Sequence, residues 1–362
     1  MKSFLRNNNL NLTRLILSSM VILGHSYALA PSDGGKDIIL QLTGFTYSGA
    51  LAVKMFFFIS GLLVCNSIIS NPNPVSYIIS RFFRIIPALL VMLLITCFLV
   101  GPIVTSFSFF DYLLNNQVLT YLSVNLNLFS PAYYNLPGVF ANNFYQNSVN
   151  GSLWTLSYEV EMYTYLLAFS MLGLLKYRRF ASAIFIFIIA LPTLNLPWYH
   201  EIYSSNPEIY YLPMSFSFGC MFALWREEIQ INIKFFIGLL LMTTLMKQYT
   251  IYTTLFYFCC FYFSLLISDS RNIKIPALKL DISYGVYIYG FLVQQLINHI
   301  FPDEGFLFNT IVSLSICYPI AYLSYIYIEK PSIDFGRRIK NSPSDFVNNT
   351  RYYLLSFPRT KK

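Results

Sequence analysis

The sequence contains 362 residues, of which 56% are hydrophobic and only 11% are charged. Because soluble domains carry about 25% charged residues, this composition excludes an ordinary soluble protein. The net charge of +8 does not indicate a nucleic-acid partner, since the basic residues lie in short segments between apolar runs. Apolar runs of about 17–25 residues, long enough to span a bilayer, recur along the chain. The sequence therefore predicts an all-α, polytopic transmembrane helical bundle surrounded by membrane lipids.

Ten membrane spans are predicted in chain order. The first apolar run has an arginine inside it and ends without a cleavage-site pattern, so we interpret it as a span and not as a signal peptide. An even number of spans places both termini on the same side of the membrane. The spans lie near residues 12–30, 45–69, 85–106, 153–175, 180–197, 209–225, 235–249, 250–268, 282–300 and 306–328.

The basic residues predict the orientation of these spans. All Lys and Arg residues except Lys36, Lys54 and Lys247 fall on one side, which the positive-inside rule makes the cytoplasmic side. Both termini are therefore predicted to be cytoplasmic. We expect one membrane domain over residues 1–330 and a short basic cytoplasmic tail over residues 331–362.

The first span carries two ionisable residues, Arg14 and His25. Such residues are costly inside a bilayer and are functional candidates by default. An offset of eleven residues is three helical turns, or about 16 Å, so both side chains lie on nearly the same helix face. A neutral imidazole can act as a general base near neutral pH. Alternatively, His25 is a structural histidine that forms hydrogen bonds between helices.

The segment between the third and fourth spans, about residues 107–152, is rich in Asn and Tyr and has poor helical periodicity. We expect it to be mostly loop, partly re-entrant or interfacial. Amide and aromatic side chains suit a carbohydrate acceptor, because sugars offer hydroxyl groups and stacking C–H faces. The alternative is an aromatic belt next to a solvated loop.

Two carboxylates, Glu159 and Glu161, lie at the entrance of the fourth span. They are about 200° apart around a helix, so they do not face the same site. Thr155, Glu159 and Tyr163 share one face, and a carboxylate there could orient His25. The alternative is that these acids only favour the helix N-terminus electrostatically.

Arg81 and Arg84 precede the third span and are three residues apart, so they lie on one helical face and could clamp a phosphate or pyrophosphate group. Topology alone would also place arginines there. Lys54 lies just inside the second span and is expected to extend outward to water. The six cysteines lie in apolar runs without metal-ligand spacing, so we predict no metal site.

Together these segments resemble the acyltransferase-3 family of integral membrane acyltransferases. Larger relatives carry an added hydrolase-like domain, for which this sequence shows no segment. The matching blocks are ordered along nearly the whole chain: Arg14 with His25, Phe56-Phe57-Phe58-Ile59-Ser60-Gly61, Arg81-x-x-Arg84, Ser152-Leu153-Trp154-Thr155-Leu156-Ser157-Tyr158-Glu159, Ile282-Ser283-Tyr284-Gly285-Val286-Tyr287-Ile288-Tyr289 and Ile328-Glu329-Lys330-Pro331.

The resemblance implies an enzyme of the bacterial cytoplasmic (inner) membrane. It would transfer an acyl group, usually acetyl from cytoplasmic acetyl-CoA, to a hydroxyl of a surface or lipid-linked glycan such as O-antigen or capsule. Acetyl-CoA is then a substrate, and no permanently bound cofactor is expected. The implied roles are His25 as catalytic base, Arg14 as its partner, Glu159 as the acid of the catalytic region, and Arg81 and Arg84 as CoA contacts. We also expect Ser152, Trp154 and Tyr163 to contact the substrate.

The sequence departs from the family pattern at two places. Many relatives have an aspartate where this chain has Lys54, and many have adjacent acids where Val160 here separates Glu159 from Glu161. Direct transfer and an acyl-enzyme relay are both compatible with the pattern. The alternative function is a transporter of a glycan intermediate or acyl group, with Arg14, His25 and Glu159 as a polar relay.

Overall fold

The computed structural model of the protein describes residues 9–203, 207–269 and 280–341, and every regular element within these residues is helical. Several basic residues that contributed to the predicted orientation lie outside the described residues. These are Lys2, Arg6, Arg271, Lys274, Lys279 and the part of the predicted tail beyond residue 341.

The described residues form long helices joined by shorter ones. Two π-helical turns, at Thr96–Val100 and Tyr325–Glu329, lie within the longer helical segments Pro74–Val104 and Phe306–Lys340. In chain order the helices are α1 (Leu10–Leu29), α2 (Ile38–Thr43), α3 (Ser48–Ser70), α4 (Pro74–Ile95), α5 (Gly101–Val104), α6 (Phe109–Leu113), α7 (Asn116–Leu126), α8 (Trp154–Met171), α9 (Arg178–Leu194), α10 (Pro197–Tyr203), α11 (Pro207–Tyr210), α12 (Leu212–Leu224), α13 (Ile233–Leu245), α14 (Tyr252–Asp269), α15 (Ser283–Ile300), α16 (Phe306–Ser324) and α17 (Lys330–Asn341).

Each of the ten predicted spans overlaps one of these helices, which confirms the all-α prediction for the described part of the chain. Four continuous helices are long and apolar enough to cross a membrane by themselves. The full count of ten spans stays a prediction, because the other helices are shorter or less apolar. The four are Leu10–Leu29, Ser48–Ser70, Pro74–Val104 and Phe306–Lys340.

The third long helix begins earlier than predicted. Asn73 caps α4 by accepting a hydrogen bond from the Ser76 backbone N–H at 3.1 Å, and Pro74 occupies the first helical turn. Both features favour a helix start at this point. Arg81 and Arg84 therefore lie within α4, in agreement with the common helical face predicted for them, although they precede the predicted start of the span.

The predicted loop over residues 107–152 is partly helical, which corrects that expectation. Ser108 and Asn115 cap α6 and α7 with their side chains. Tyr112 and Tyr121 are fully buried, and the Tyr112 hydroxyl donates to the Cys97 carbonyl at 2.9 Å. This half of the segment packs against α4 and its π-helical turn, whereas residues 127–150 are irregular apart from turns.

α3 lies at the centre of the fold. It packs against α12, α1, α8 and α14, and it contains many fully buried side chains. α1 also packs against α15 and α16, so α1, α3, α8 and α15 surround a common interior. This interior holds the candidate site.

Candidate active site

Two cavities lie along the interior helices. The histidine cavity has a volume of about 1000 Å³ and contains His25, and the arginine cavity has a volume of about 100 Å³ and contains Arg14. The same helices line both, since α8 contributes Trp154 to the histidine cavity and the next residue, Thr155, to the arginine cavity. The two cavities therefore lie end to end along α1, as the spacing of Arg14 and His25 predicts.

His25 lines the histidine cavity without a hydrogen-bond partner at one ring nitrogen. Its Nδ1 is buried and unpaired within the described residues, and the ring meets Phe291 edge to face at 5.2 Å between centroids. A Cβ added at the neighbouring Gly24 would lie 2.5 Å from the Gly49 backbone nitrogen, so α1 and α3 touch through their backbones here. Close helix packing therefore holds His25 in place, and the residue lines the cavity although its Nδ1 is buried and has no partner among the described residues.

The wall of the histidine cavity combines aromatic rings, amides and carboxylates. The carboxylate of Asp37 is already committed, because it accepts hydrogen bonds from the Ser48 and Leu40 backbone N–H groups at 3.1 Å each. This side-chain chemistry suits a ligand with many hydroxyl groups. The aromatic and amide residues of the wall, besides His25, are Tyr27, Tyr47, Tyr134, Tyr145, Trp154, Phe291, Gln41, Asn135, Gln146 and Asn147.

Lys54 does not extend outward to water, which corrects that prediction. Its side chain is only 2% exposed and forms an ion pair with Glu208, which lines the histidine cavity. The ammonium also lies 5.8 Å from the centroid of the Tyr257 ring. α11 brings Glu208 to this position from 154 residues farther along the chain, so sequence reasoning could not identify the pair.

A network of alternating charges lies beside the arginine cavity, which two of its members, Arg14 and Arg84, line. Asp281 lies between two guanidinium groups: it pairs with Arg14, and the Arg84 Nη2 is 2.6 Å from its Oδ2. The second Arg84 nitrogen is 3.3 Å from Glu329, whose side chain is fully buried. Arg14 therefore pairs with Asp281 and does not contact His25. Burial would raise the pKa of Asp281, but Arg14 and Arg84 outweigh it and lower this pKa to about 2.

Glu159 belongs to the arginine cavity, where α8 places it beside α3. It accepts hydrogen bonds from the Tyr163 hydroxyl and from Ser60 Oγ, the latter at 3.1 Å. Glu161 points elsewhere and accepts a hydrogen bond from the exposed Tyr165. The predicted common face of Thr155, Glu159 and Tyr163 is confirmed, since all three line this cavity. The structure does not bring Glu159 to His25, so the predicted orienting contact is absent from the described residues.

A layer of side chains separates the two cavities. The Tyr287 hydroxyl lies 2.6 Å from Thr155 Oγ1 and donates to the Ser152 carbonyl at 3.0 Å. Phe56 meets the Tyr287 ring edge to face at 5.9 Å between centroids. Ser152 is only 1% exposed and stands behind this layer. Phe56, Thr155 and Tyr287 line the arginine cavity, whereas the adjacent Trp154 lines the histidine cavity, so we infer that a molecule reaching from one cavity to the other passes these three side chains.

The predicted site residues divide between the two cavities, except that the predicted substrate contact Ser152 lines neither of them. Arg14, Arg81, Arg84, Glu159 and Tyr163 line the arginine cavity, whereas His25 and Trp154 line the histidine cavity. The prediction that Arg81 and Arg84 lie on the same side of the helix is confirmed, since both line the arginine cavity. The guanidinium of Arg81 lies 5.7 Å from the centroid of the Tyr163 ring. Trp154 and Tyr163, both predicted substrate contacts, lie in different cavities.

Sequence reasoning missed three acids of the site: Asp281, Glu329 and Glu208. One signal was present, because buried arginines require carboxylate partners, and Asp281 directly precedes an apolar helix. Glu329 was noted only within a family block. Nothing in the sequence links Glu208 to Lys54.

The comparisons with known proteins agree with one another. A family model described as an acyltransferase domain matches residues 7–328 of this chain. The chain is 27% identical over 333 residues, 90% of its own length and 96% of the relative's, to a protein of Shigella phage Sf6 described as an O-acetyl transferase. No solved structure gives a significant match.

Proposed function

The chain belongs to the acyltransferase-3 family and is an acyltransferase, and we propose that it transfers an acetyl group from acetyl-CoA to a hydroxyl of a bacterial surface or lipid-linked glycan such as O-antigen or capsule. The carrying observation is that His25, with an unpaired ring nitrogen, lies in the cavity next to the arginine cavity. The name of the phage relative supports acetyl as the group and oxygen as the acceptor.

The acceptor glycan occupies the histidine cavity in this proposal. The cavity volume of about 1000 Å³ accommodates a sugar, since small-molecule sites usually enclose about 300–1,000 Å³. Its aromatic rings can stack on sugar C–H faces, and its amides can bond to hydroxyl groups. By the positive-inside rule this cavity opens on the non-cytoplasmic side, where Lys36 is one of the few basic residues.

The donor enters from the opposite end. Arg81 and Arg84 lie near the basic end of α4 and line the arginine cavity. Guanidinium groups bind phosphates well because they donate several hydrogen bonds in a fixed plane. A donor held there has to reach about three helical turns, or about 16 Å, to place its thioester at His25. The pantetheine arm of CoA is long and thin and suits the narrow arginine cavity.

In the proposed chemistry, His25 takes the proton from an acceptor hydroxyl as its oxygen attacks the thioester carbonyl. A C–O bond forms, the C–S bond breaks, and CoA leaves as a thiolate. The imidazolium then returns the proton to the CoA sulfur, so the enzyme regains its starting protonation state. The products are a glycan ester and free CoA, without a covalent acyl-enzyme.

Glu159 has a different role from the one its sequence position indicates. Because it holds Tyr163 and Ser60 in the arginine cavity, we assign it to positioning the donor and not to orienting His25. Arg14 is likewise assigned to the charge network with Asp281. This network fixes Arg84 on the wall of the cavity.

A His25→Ala variant tests the proposed base. Purified protein in lipid nanodiscs is supplied with labelled acetyl-CoA and a glycan acceptor, and formation of the glycan ester is measured. We expect the rate to fall by about 10²–10⁴-fold, the usual contribution of a general base. His200→Ala is the matched control, because His200 is exposed on α10, away from both cavities.

Two results would contradict the proposal. A stably inserted His25→Ala protein that acetylates the glycan at the wild-type rate would exclude His25 as the base. A wild-type protein that forms no ester in the purified system, although it binds the glycan, would exclude acetyl transfer to this acceptor.

A further inference from the structure

A basic cleft lies beside the arginine cavity, between α4 and the C-terminal helix α17. Its volume is about 320 Å³. Both helices contribute basic side chains, and α3 adds a hydroxyl group. The polar residues of this cleft are Ser67, Ser80, Arg81, Arg84, Arg337 and Lys340.

The positive charges of this cleft are only partly neutralised. Asp281 and Glu329 pair with Arg84, and Asp334 pairs with Arg337 at 2.9 Å on the exposed side of α17. Within the described residues, neither Arg81 nor Lys340 has a carboxylate partner, and the buried Arg81 Nε has no hydrogen-bond acceptor. Lys340 lies close enough to Arg81 and Arg337 for their like charges to repel. An anion between α4 and α17 would remove this repulsion.

Lys340 is held in position by contacts between α17 and α4. Its Nζ donates to Ser80 Oγ at 2.7 Å. A Cβ added at Gly336 would lie 2.7 Å from the Phe83 ring, so the two helices are in close contact, and Phe83 also meets Phe335 at 5.5 Å between ring centroids. The ammonium group of Lys340 is therefore fixed against α4 by Ser80.

The cleft continues into the arginine cavity. Leu63, Arg81 and Arg84 line both of them. A ligand with phosphate groups in the cleft could therefore extend a thin arm past these three residues toward the layer at Tyr287.

We propose that Lys340 on α17 is a further contact for the phosphate groups of CoA, opposite Arg81 on α4, which the proposed function already assigns to the donor. The proposal rests on acetyl-CoA being the donor. It gives part of the predicted tail a function, because α17 becomes one wall of the donor site. Ser80 holds Lys340 until phosphate oxygens replace it as the acceptor.

A Lys340→Glu variant tests this proposal. Binding of CoA and of adenosine 3′,5′-bisphosphate, which has phosphates but no pantetheine arm, is measured by calorimetry with the full chain. The nanodiscs contain only phosphatidylcholine, so no anionic lipid headgroup competes. We expect the Kd of both ligands to rise at least about tenfold, as for loss of a charge-assisted hydrogen bond. Lys340→Arg should bind both ligands nearly as wild type does.

Arg338→Glu is the matched control. It makes the same charge change on the same helix, at an exposed position that does not line the cleft. Its Kd values should stay within about twofold of wild type, since exposed charges at a distance are screened by salt. Equal weakening by Lys340→Glu and Arg338→Glu would overturn the proposal, because it would show a general electrostatic effect.

The remaining outcomes distinguish an error in the location of the donor site from an error in the identity of the donor. If wild-type protein binds CoA and Lys340→Glu binds it equally well, the cleft is not the phosphate site, although the proposed function stands. If wild-type protein binds no CoA, both proposals fail. If Lys340→Glu changes only the retention of phosphatidylglycerol in mixed nanodiscs, the cleft holds a lipid headgroup and the proposal is wrong.

Discussion

Lys54 is a basic residue in the largely buried apolar helix α3. The effect of its charge on the free energy of unfolding therefore depends on the residues around it. Its partner Glu208 is 27% exposed and borders the histidine cavity. Removing one partner of a buried ion pair leaves an uncompensated charge, whereas replacing both partners with apolar groups is often neutral. The ion pair therefore links the wall of the histidine cavity to α3.

The first residue-scale prediction concerns this ion pair. We expect Glu208→Ala to destabilise the protein by about 3–5 kcal/mol, because Lys54 loses its partner in a buried environment. The double variant Lys54→Met, Glu208→Ala should recover most of this loss, since Met fills a similar volume without a charge. The measurement is the thermal unfolding midpoint of detergent-purified protein.

Glu228→Ala is the matched control for Glu208→Ala. Glu228 pairs with Arg178 in an exposed position, where ion pairs contribute little to stability. Equal unfolding midpoints for Glu208→Ala and Glu228→Ala would show that Lys54 does not depend on Glu208.

Asp281, which pairs with Arg14 and Arg84, stays ionised over most of the experimentally useful pH range. Arg14 and Arg84 outweigh burial and lower its folded-state pKa to about 2, below the usual aspartate pKa of about 3.9. Its contribution to stability is therefore complete above about pH 4 and is lost as the pH falls toward 2. A loss of activity between pH 7 and pH 5 would not arise from Asp281.

At the scale of elements, the segment Phe56-Phe57-Phe58-Ile59-Ser60-Gly61 on α3 combines three tasks. Phe56 belongs to the layer between the cavities, and Ser60 donates to Glu159. Gly61 allows α12 to approach, since a Cβ there would lie 2.1 Å from the Phe216 carbonyl oxygen. Gly219 on α12 is equally close to Phe58 on α3. The two helices therefore pack backbone against backbone directly behind the arginine cavity.

The element-scale prediction is that Gly61→Ala separates α3 from α12. The added methyl group meets backbone atoms that cannot move independently, so we expect a loss of stability of about 1–3 kcal/mol, as for overpacked cores. Thermal unfolding and the fraction of monodisperse protein in size-exclusion chromatography measure the effect.

Gly238→Ala provides the comparison for Gly61→Ala. A Cβ at Gly238 on α13 would meet nothing within 4 Å, and alanine favours a helix interior over glycine by about 1 kcal/mol. This control should be as stable as wild type or more stable. The close α3–α12 contact would be refuted if both variants unfolded at the same temperature.

At the scale of the whole molecule, the predicted orientation determines on which side of the membrane each cavity opens. The histidine cavity should open to the outside, and the basic cleft should open to the cytoplasm. Five of the six cysteines are buried and Cys260 is partly buried, so the native protein should react weakly with a thiol reagent that does not cross membranes.

Single cysteines at exposed turns test this orientation. Ser32→Cys follows α1 and Lys176→Cys precedes α9, and both positions are exposed. We expect the reagent to label Ser32→Cys in intact cells but to label Lys176→Cys only after the inner membrane is opened. The unmodified protein gives the background from native cysteines. Labelling of both positions from the same side would refute the predicted topology of the first four spans.

The sequence by itself determined the all-helical membrane architecture, the family, and the positions of Arg14, His25, Arg81 and Arg84 inside helices. These features are local, because hydropathy, helix period and motif spacing act over a few turns. The same local reasoning placed Thr155, Glu159 and Tyr163 on one face, as the structure confirms. It also kept Glu161 off that face.

Only the tertiary structure decided which charges meet. Asp281 lies 267 residues from Arg14 and 197 from Arg84, and no local pattern connects residues at such separations. Helix packing also determines that the site consists of two cavities, with Glu159 in one and His25 in the other. It places the start of the predicted tail, as α17, on one wall of the basic cleft. These outcomes depend on how the helices pack side by side. Packing brings together side chains from distant segments, and no local pattern in either segment predicts which other segment it contacts.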